Sequence, residues 1–156
     1  MAKLLKPGDP APPFELPTAG GGRVSLAGLK GKSVVLYFYP KDDTPGCTTE
    51  ALNFTEKASE FATKGCAIVG VSRDSVAKHE RFAAKYDLSI MLASDEDGAV
   101  CGRYGVWVEK TLYGRSYMGL ERATFLIGPK GTLQRVWRKV RVKGHVDEVL
   151  AALTPR

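Results

Sequence analysis

Apolar residues recur along this chain in two rhythms. Val34 to Tyr39, V-V-L-Y-F-Y, and Cys66 to Ser72, C-A-I-V-G-V-S, are short unbroken runs rich in β-branched and aromatic side chains, the pattern of strands covered on both faces. Between them Cys47, Ala51, Phe54, Ala58, Phe61 and Ala62 fall on one helical face that ends at Gly65. After Asp74 or Ser75, either of which can cap a helix, Val76, His79, Phe82, Ala83 and Tyr86 repeat that spacing. A third strand is expected over Ile90 to Ala93, followed by the turn S-D-E-D-G and a short helix carrying Cys101 and Tyr104. Trp107 to Leu120 is irregular and holds two glycines, so a surface loop is predicted there. Ala123 to Ile127 and Leu133 to Val140 flank G-P-K-G-T as a hairpin, and His145 to Leu153 forms a last helix. At the start, Phe14 to Leu16 and Val24 to Leu26 flank T-A-G-G-G-R, a hairpin with a loose glycine turn at an edge.

The order β-α-β-α-β, then a hairpin and a helix, implies an α/β three-layer sandwich with a mixed central sheet and an N-terminal hairpin. At 156 residues, 44% hydrophobic and 26% charged, the chain reads as one globular domain over 1–156 with a real core. The net charge of +6 would allow loose contact with anions, but the basic residues are dispersed except in R-V-W-R-K-V-R-V-K, Arg135 to Lys143. Basic and apolar residues alternate there as on a half-exposed strand, with no stacking aromatic series, so no nucleic-acid partner is expected. No stretch is long enough to span a bilayer and the N-terminus lacks the apolar centre of a leader, which sets a cytoplasmic expectation. Cys47, Cys66 and Cys101 lie too far apart for a C-x-x-C pair or a zinc cluster, and an odd count fits reduced thiols. Neither His79 nor His145 has neighbours at metal-ligand spacing, and Asp95-Glu96-Asp97-Gly98 reads as a solvated turn rather than a calcium loop. No metal site is expected from these residues. Trp107 and Trp137 read as core or rim residues.

The chemistry concentrates after the first buried strand, in P-K-D-D-T-P-G-C-T-T-E, Pro40 to Glu50. Pro40 stops the strand, Thr44 takes the N-cap and Pro45 the first helical position, which makes Cys47 the third residue of the helix. The first amides of a helix lack partners within it and carry the positive end of its dipole, so a thiolate there is stabilised. Thr44 can aim its hydroxyl at the same spot. The plainer reading, an inert cysteine packed at a helix start, fits the local chemistry less well.

These residues resemble a peroxiredoxin, specifically the bacterioferritin comigratory protein or PrxQ subfamily. Pro40, Thr44 and Cys47 meet the family signature, and Y-F-Y-P-K-D-D-T-P-G-C-T-T-E, G-V-S-R-D-S, S-D-E-D-G, Y-G-V-W-V-E-K and E-R-A-T-F-L-I follow the subfamily in order along nearly the whole chain. The resemblance implies a thioredoxin fold and reduction of hydrogen peroxide and organic hydroperoxides by a thiol, without metal or organic cofactor. It implies Cys47 as the peroxidatic nucleophile, Arg122 as the active-site arginine, and Thr44 as the group orienting sulfur and peroxide. Pro40 would shield the sulfur and Glu50 would hold the arginine. The implied reductant is thioredoxin, glutaredoxin or a small thiol, and the implied state a monomer.

The chain departs from its subfamily at the resolving cysteine. One usual position holds Leu52, and the other, near Phe82-Ala83-Ala84, holds no cysteine either. Three outcomes stand open: an external thiol completes a one-cysteine cycle, Cys101 or Cys66 substitutes, or a native cysteine was replaced. Both remaining cysteines read as packing residues, with Cys101 the candidate if a resolving thiol exists, and the one-cysteine cycle is the working expectation. A different class of function, a peroxide sensor or redox relay without turnover on the same fold, is the alternative.

Overall fold

The run from Val34 onwards has no polar face to offer water, and in the computed structural model, which describes residues 4–153, it becomes the middle of the central sheet. In chain order the elements are β1 (Glu15–Pro17), β2 (Arg23–Ser25), β3 (Ser33–Phe38), α1 (Pro45–Thr63), β4 (Cys66–Ser72), α2 (Val76–Tyr86), β5 (Met91–Ser94), α3 (Ala99–Arg103), β6 (Trp107–Leu112), β7 (Arg115–Leu120), β8 (Ala123–Ile127), β9 (Leu133–Trp137) and α4 (His145–Ala152). The five-stranded sheet has the order β5-β4-β3-β8-β9, with β4 parallel to β3 and β8 antiparallel to it. Met1 to Lys3, where a leader would begin, lie outside the described residues.

Alternation along β3 builds two cores. Val34, Leu36 and Phe38 face a layer that includes the N-terminal hairpin, Cys101 and Tyr104. Val35, Tyr37 and Tyr39 face α1, α2 and α4 through Cys47, Phe54, Phe61, Phe82 and Val149. Each large side chain buried in this way contributes on the order of 1.5–3 kcal/mol. This is the mixed three-layer α/β arrangement expected, and the N-terminal hairpin does sit at an edge: Ala19 N–H donates to the Leu92 carbonyl at 3.0 Å and Thr18 bridges Ala93, covering β5.

Several expectations need correction. Trp107 to Leu120 is not a loop but the antiparallel hairpin β6–β7, turning at Tyr113 and Gly114 with φ of 53° and 76°. Positive φ at both turn residues is the type I′ geometry, usually signalled by Asn-Gly, and most hairpin side chains stay in water, so neither turn chemistry nor apolar alternation announced it. The strand after G-P-K-G-T ends at Trp137 rather than Val140, because Lys139 enters the left-handed region at φ 49° and bends the chain. Ala62 is exposed, whereas Glu50 joins the buried face of α1. The turn at Asp95 is not solvated at its first residue: the Asp95 carboxylate is buried and accepts from the amides of Val100 and Cys101 at 3.3 and 2.8 Å. Ser75, not Asp74, caps α2 by accepting from the Lys78 amide at 3.2 Å.

Candidate active site

β3 delivers the chain to the carboxyl end of the sheet, where open α/β folds place their sites. Pro40 lies exposed at the start of the turn that follows. Thr44 takes extended N-cap geometry (φ −100°, ψ 155°), Pro45 opens the helix, and Thr48 N–H makes an early helical bond to the Thr44 carbonyl at 2.8 Å. Cys47 therefore stands in the first turn of α1, 1% exposed. Thr44 does not direct its hydroxyl hydrogen at the sulfur: Oγ1 donates to the Lys41 carbonyl at 2.8 Å, which tightens the turn and leaves the oxygen lone pairs available.

Arg122 reaches the sulfur because β8 runs antiparallel to β3 with Ala123 opposite Phe38, so the residue before β8 arrives beside the end of β3. Its Nη2 donates to Cys47 Sγ at 3.4 Å and its Nη1 to Glu50 Oε1 at 2.7 Å. Glu50 lies three residues after Cys47 on the same helical face, so one guanidinium bridges both. Space for it comes from Gly46, where a Cβ would stand 3.0 Å from Arg122 Nη2.

Burial sets the local electrostatics. It pushes the Glu50 carboxyl up to about 7, against the pull of Arg122, and it raises the Tyr37 hydroxyl well above its ordinary range with the Glu50 and Cys47 charges adding to it. Burial alone would lower Arg122, but the facing Glu50 carboxylate and Cys47 sulfur leave it above its ordinary value. Glu50 Oε2 and the Tyr37 hydroxyl are buried without a hydrogen-bond partner. Pro45 and Gly46 also line an open cleft of about 650 Å³ that runs between α1 and the Val142 to Asp147 segment. Among the described residues no group of three or more His, Cys, Asp and Glu side chains could hold a metal ion.

The AhpC/TSA family pattern matches residues 7–136, most of the chain. The chain belongs to the AhpC/TSA family. Within it the similarity is to peroxiredoxins of the Bcp and PrxQ kind. It is 50% identical over 149 residues to the putative peroxiredoxin bcp of Coxiella burnetii, covering 96% of this chain and 99% of that one. It is 47% identical over 146 residues to peroxiredoxin Bcp of Bacillus subtilis, covering 94% and 93%. A bacterioferritin comigratory protein of Xanthomonas campestris, solved in trapped intermediate and ligand complexes that bear on its alkyl peroxide reduction, superposes with a TM-score of 0.88 at 46% identity, covering 98% of this chain and 97% of that one.

In this peroxiredoxin the other two sulfurs lie far from Cys47. Cys101 belongs to the core on the opposite face of the sheet. Cys66 opens β4 beyond the far end of the 19-residue α1, a helix about 28 Å long. Burial pushes the Cys66 thiol up to about 12 and the Cys101 thiol higher still. Leu52 is exposed, Phe82 is buried, and all three cysteines are free. Glu50 holds the arginine as the resemblance implied, but its full burial and the partner of His79 were not read from the sequence. Glu50 is fully buried, a placement that its polarity argued against. His79, placed by its spacing on the inner face of α2, is buried there and also has Nδ1 2.6 Å from Asp42 Oδ2, a partner 37 residues away that no local spacing reveals. His145, also buried, meets Thr124 Oγ1 at 2.8 Å.

Proposed function

We propose that this chain, acting as one domain, reduces hydrogen peroxide and organic hydroperoxides through Cys47 and is returned to the thiol by an external reductant. The observation that carries this reading is a single one: Arg122, its guanidinium held by the buried Glu50 carboxylate, lies 3.4 Å from the Cys47 sulfur at the start of a helix. The thiolate attacks the distal peroxide oxygen. A sulfur–oxygen bond forms as the oxygen–oxygen bond breaks, the sulfur loses two electrons to the peroxide, and the departing oxygen takes a proton to leave as water or an alcohol. Arg122 is placed to meet the charge that develops on that oxygen, and Glu50 holds its fork in one orientation. Thr44 offers lone pairs towards the incoming peroxide, Pro40 screens the mouth of the turn, and the cleft beside Gly46 gives room for an organic substituent.

The sulfenic acid then condenses with an external thiol, forming a mixed disulfide and water, and a second thiol displaces Cys47. An internal disulfide needs Cα atoms within about 7 Å, a condition that a sheet and a whole helix keep Cys101 and Cys66 from approaching. Three free thiols fit a reducing, cytoplasmic setting, and no described helix is long and apolar enough to cross a membrane. A monomer suffices for this cycle, since every group named comes from one chain.

Peroxide consumption in the presence of dithiothreitol, thioredoxin or glutaredoxin tests the reading. Turnover is expected with at least one reductant and is abolished by Cys47→Ser. Oxidised protein examined on a non-reducing gel and by mass spectrometry is expected to carry no internal disulfide. A stoichiometric bond from Cys47 to Cys101 or Cys66 would exclude the external resolver, and one oxidation without turnover would identify a sensor or relay instead.

A further inference from the structure

We propose that Asp42 and His79 form a buried clamp, sharing one proton, that positions the turn from Pro40 to Thr44, which makes both of them positioning residues for the reaction at Cys47. The proposal deepens the peroxidase reading and takes Cys47 as its reacting atom.

Both side chains are withdrawn from water, His79 at 0% and Asp42 at 5% exposure. Asp42 Oδ1 accepts from the Tyr39 hydroxyl at 2.6 Å, Oδ2 lies 2.6 Å from His79 Nδ1, and His79 Nε2 lies 2.9 Å from the Ala93 carbonyl. The Asp42 amide donates to Asp74 Oδ2 at 2.8 Å, an oxygen that also accepts from Ser72 Oγ at 2.6 Å. One residue of the turn is thus tied to the end of β3, to the β4–α2 junction, to α2 and, through the imidazole, to β5. Its neighbour Asp43, at φ 59°, takes Lys85 Nζ and Tyr86 Oη at 2.7 Å, both from α2. The helix on which subfamily members can place a second cysteine here grips the turn that leads into the first one.

The heavy atoms fix the proton count. A carbonyl oxygen only accepts, so Nε2 carries hydrogen. The 2.6 Å contact on the other side of the ring then needs a second proton on Nδ1 or on the carboxyl, since two lone pairs would repel there. Asp42→Asn would satisfy every one of these bonds without that proton: its amide nitrogen donates to Nδ1 and its oxygen accepts from Tyr39. Asp42→Ala and His79→Leu cannot.

The test compares amide hydrogen exchange at Thr44, Gly46 and Cys47 with the second-order rate of Cys47 oxidation by hydrogen peroxide. Asp42→Ala and His79→Leu are expected to speed exchange in the turn and slow oxidation by about 10- to 100-fold, the cost of a small misplacement of a reacting group. Asp42→Asn is expected to stay close to the wild type in both. Should Asp42→Ala fail to fold, Tyr39→Phe removes one bond with little change in volume and is expected to move both readouts the same way by less. Folded Asp42→Ala and His79→Leu proteins with wild-type exchange and rate would overturn the proposal, as would Asp42→Asn behaving like Asp42→Ala. A wild type inert to peroxide would overturn the peroxidase reading alone, because the exchange data still decide whether the clamp holds the turn.

Discussion

Gly46 matters for the side chain it lacks. A Cβ there stands 3.0 Å from Arg122 Nη2, and the flexible end of the arginine is the part able to move. Gly46→Ala is therefore expected to leave the melting temperature nearly unchanged while slowing oxidation of Cys47 about tenfold, as an aligned donor is pushed off the sulfur. Stopped-flow kinetics beside a thermal melt separates the two effects. His145 supplies a second test. Burial lowers its imidazole to about 4, with Arg122 adding to burial and Glu148 opposing. The folded state thus binds this proton less tightly than the unfolded chain, and stability is lost as pH falls from the unfolded value near 6.5 towards 4. Relative to His145→Gln, the wild type should lose on the order of 2 kcal/mol across that window, measured by urea unfolding at each pH. Residues differ in how readable they were. The placement of Cys47 follows from six neighbours and helix-start chemistry, so it could be read locally. Its contact with Arg122 spans 75 positions and depends on strand register, so only a family resemblance pointed to it.

Elements were legible where burial leaves a periodic trace. β4 spans the run Cys66–Ser72 read from composition, and α1 and α2 begin where their caps stand. The β6–β7 hairpin left no such trace, since it holds most of its side chains in water and turns through a tyrosine rather than an asparagine. Contact between elements explains another glycine. Tyr37 stacks on Phe54 of α1 with ring centroids 4.6 Å apart, and a Cβ at Gly70 on the neighbouring strand would lie 2.7 Å from the same ring. The ring is confined on both sides, so it cannot swing away cheaply. Gly70→Ala is expected to cost roughly 1–3 kcal/mol as overpacking, readable as a lower denaturant midpoint. With Tyr37 displaced from beside Glu50, a slower peroxide reaction should accompany the loss.

At the scale of the molecule, the sheet divides the sulfurs. Cys47 and Cys66 share one core and Cys101 occupies the other, a division that strand alternation made readable in outline but that no cysteine spacing could show. Burial raises Cys66 and Cys101, so both should stay unreacted in native protein at pH 8 while an alkylating reagent modifies Cys47 first, a sequence that peptide mapping after timed quenching would display. Global unfolding in guanidinium should erase the difference.

A fold that keeps both other thiols away from Cys47, Cys101 across the sheet and Cys66 beyond the length of α1, also sets a clock. Under the proposed one-cysteine cycle, the lifetime of an oxidised Cys47 would be dictated by how much free thiol surrounds the molecule. In thiol-poor surroundings the same oxygen-bearing sulfur would linger long enough for a second peroxide to carry it up to sulfinic acid, and the fraction of irreversibly inactivated molecules would record the shortage.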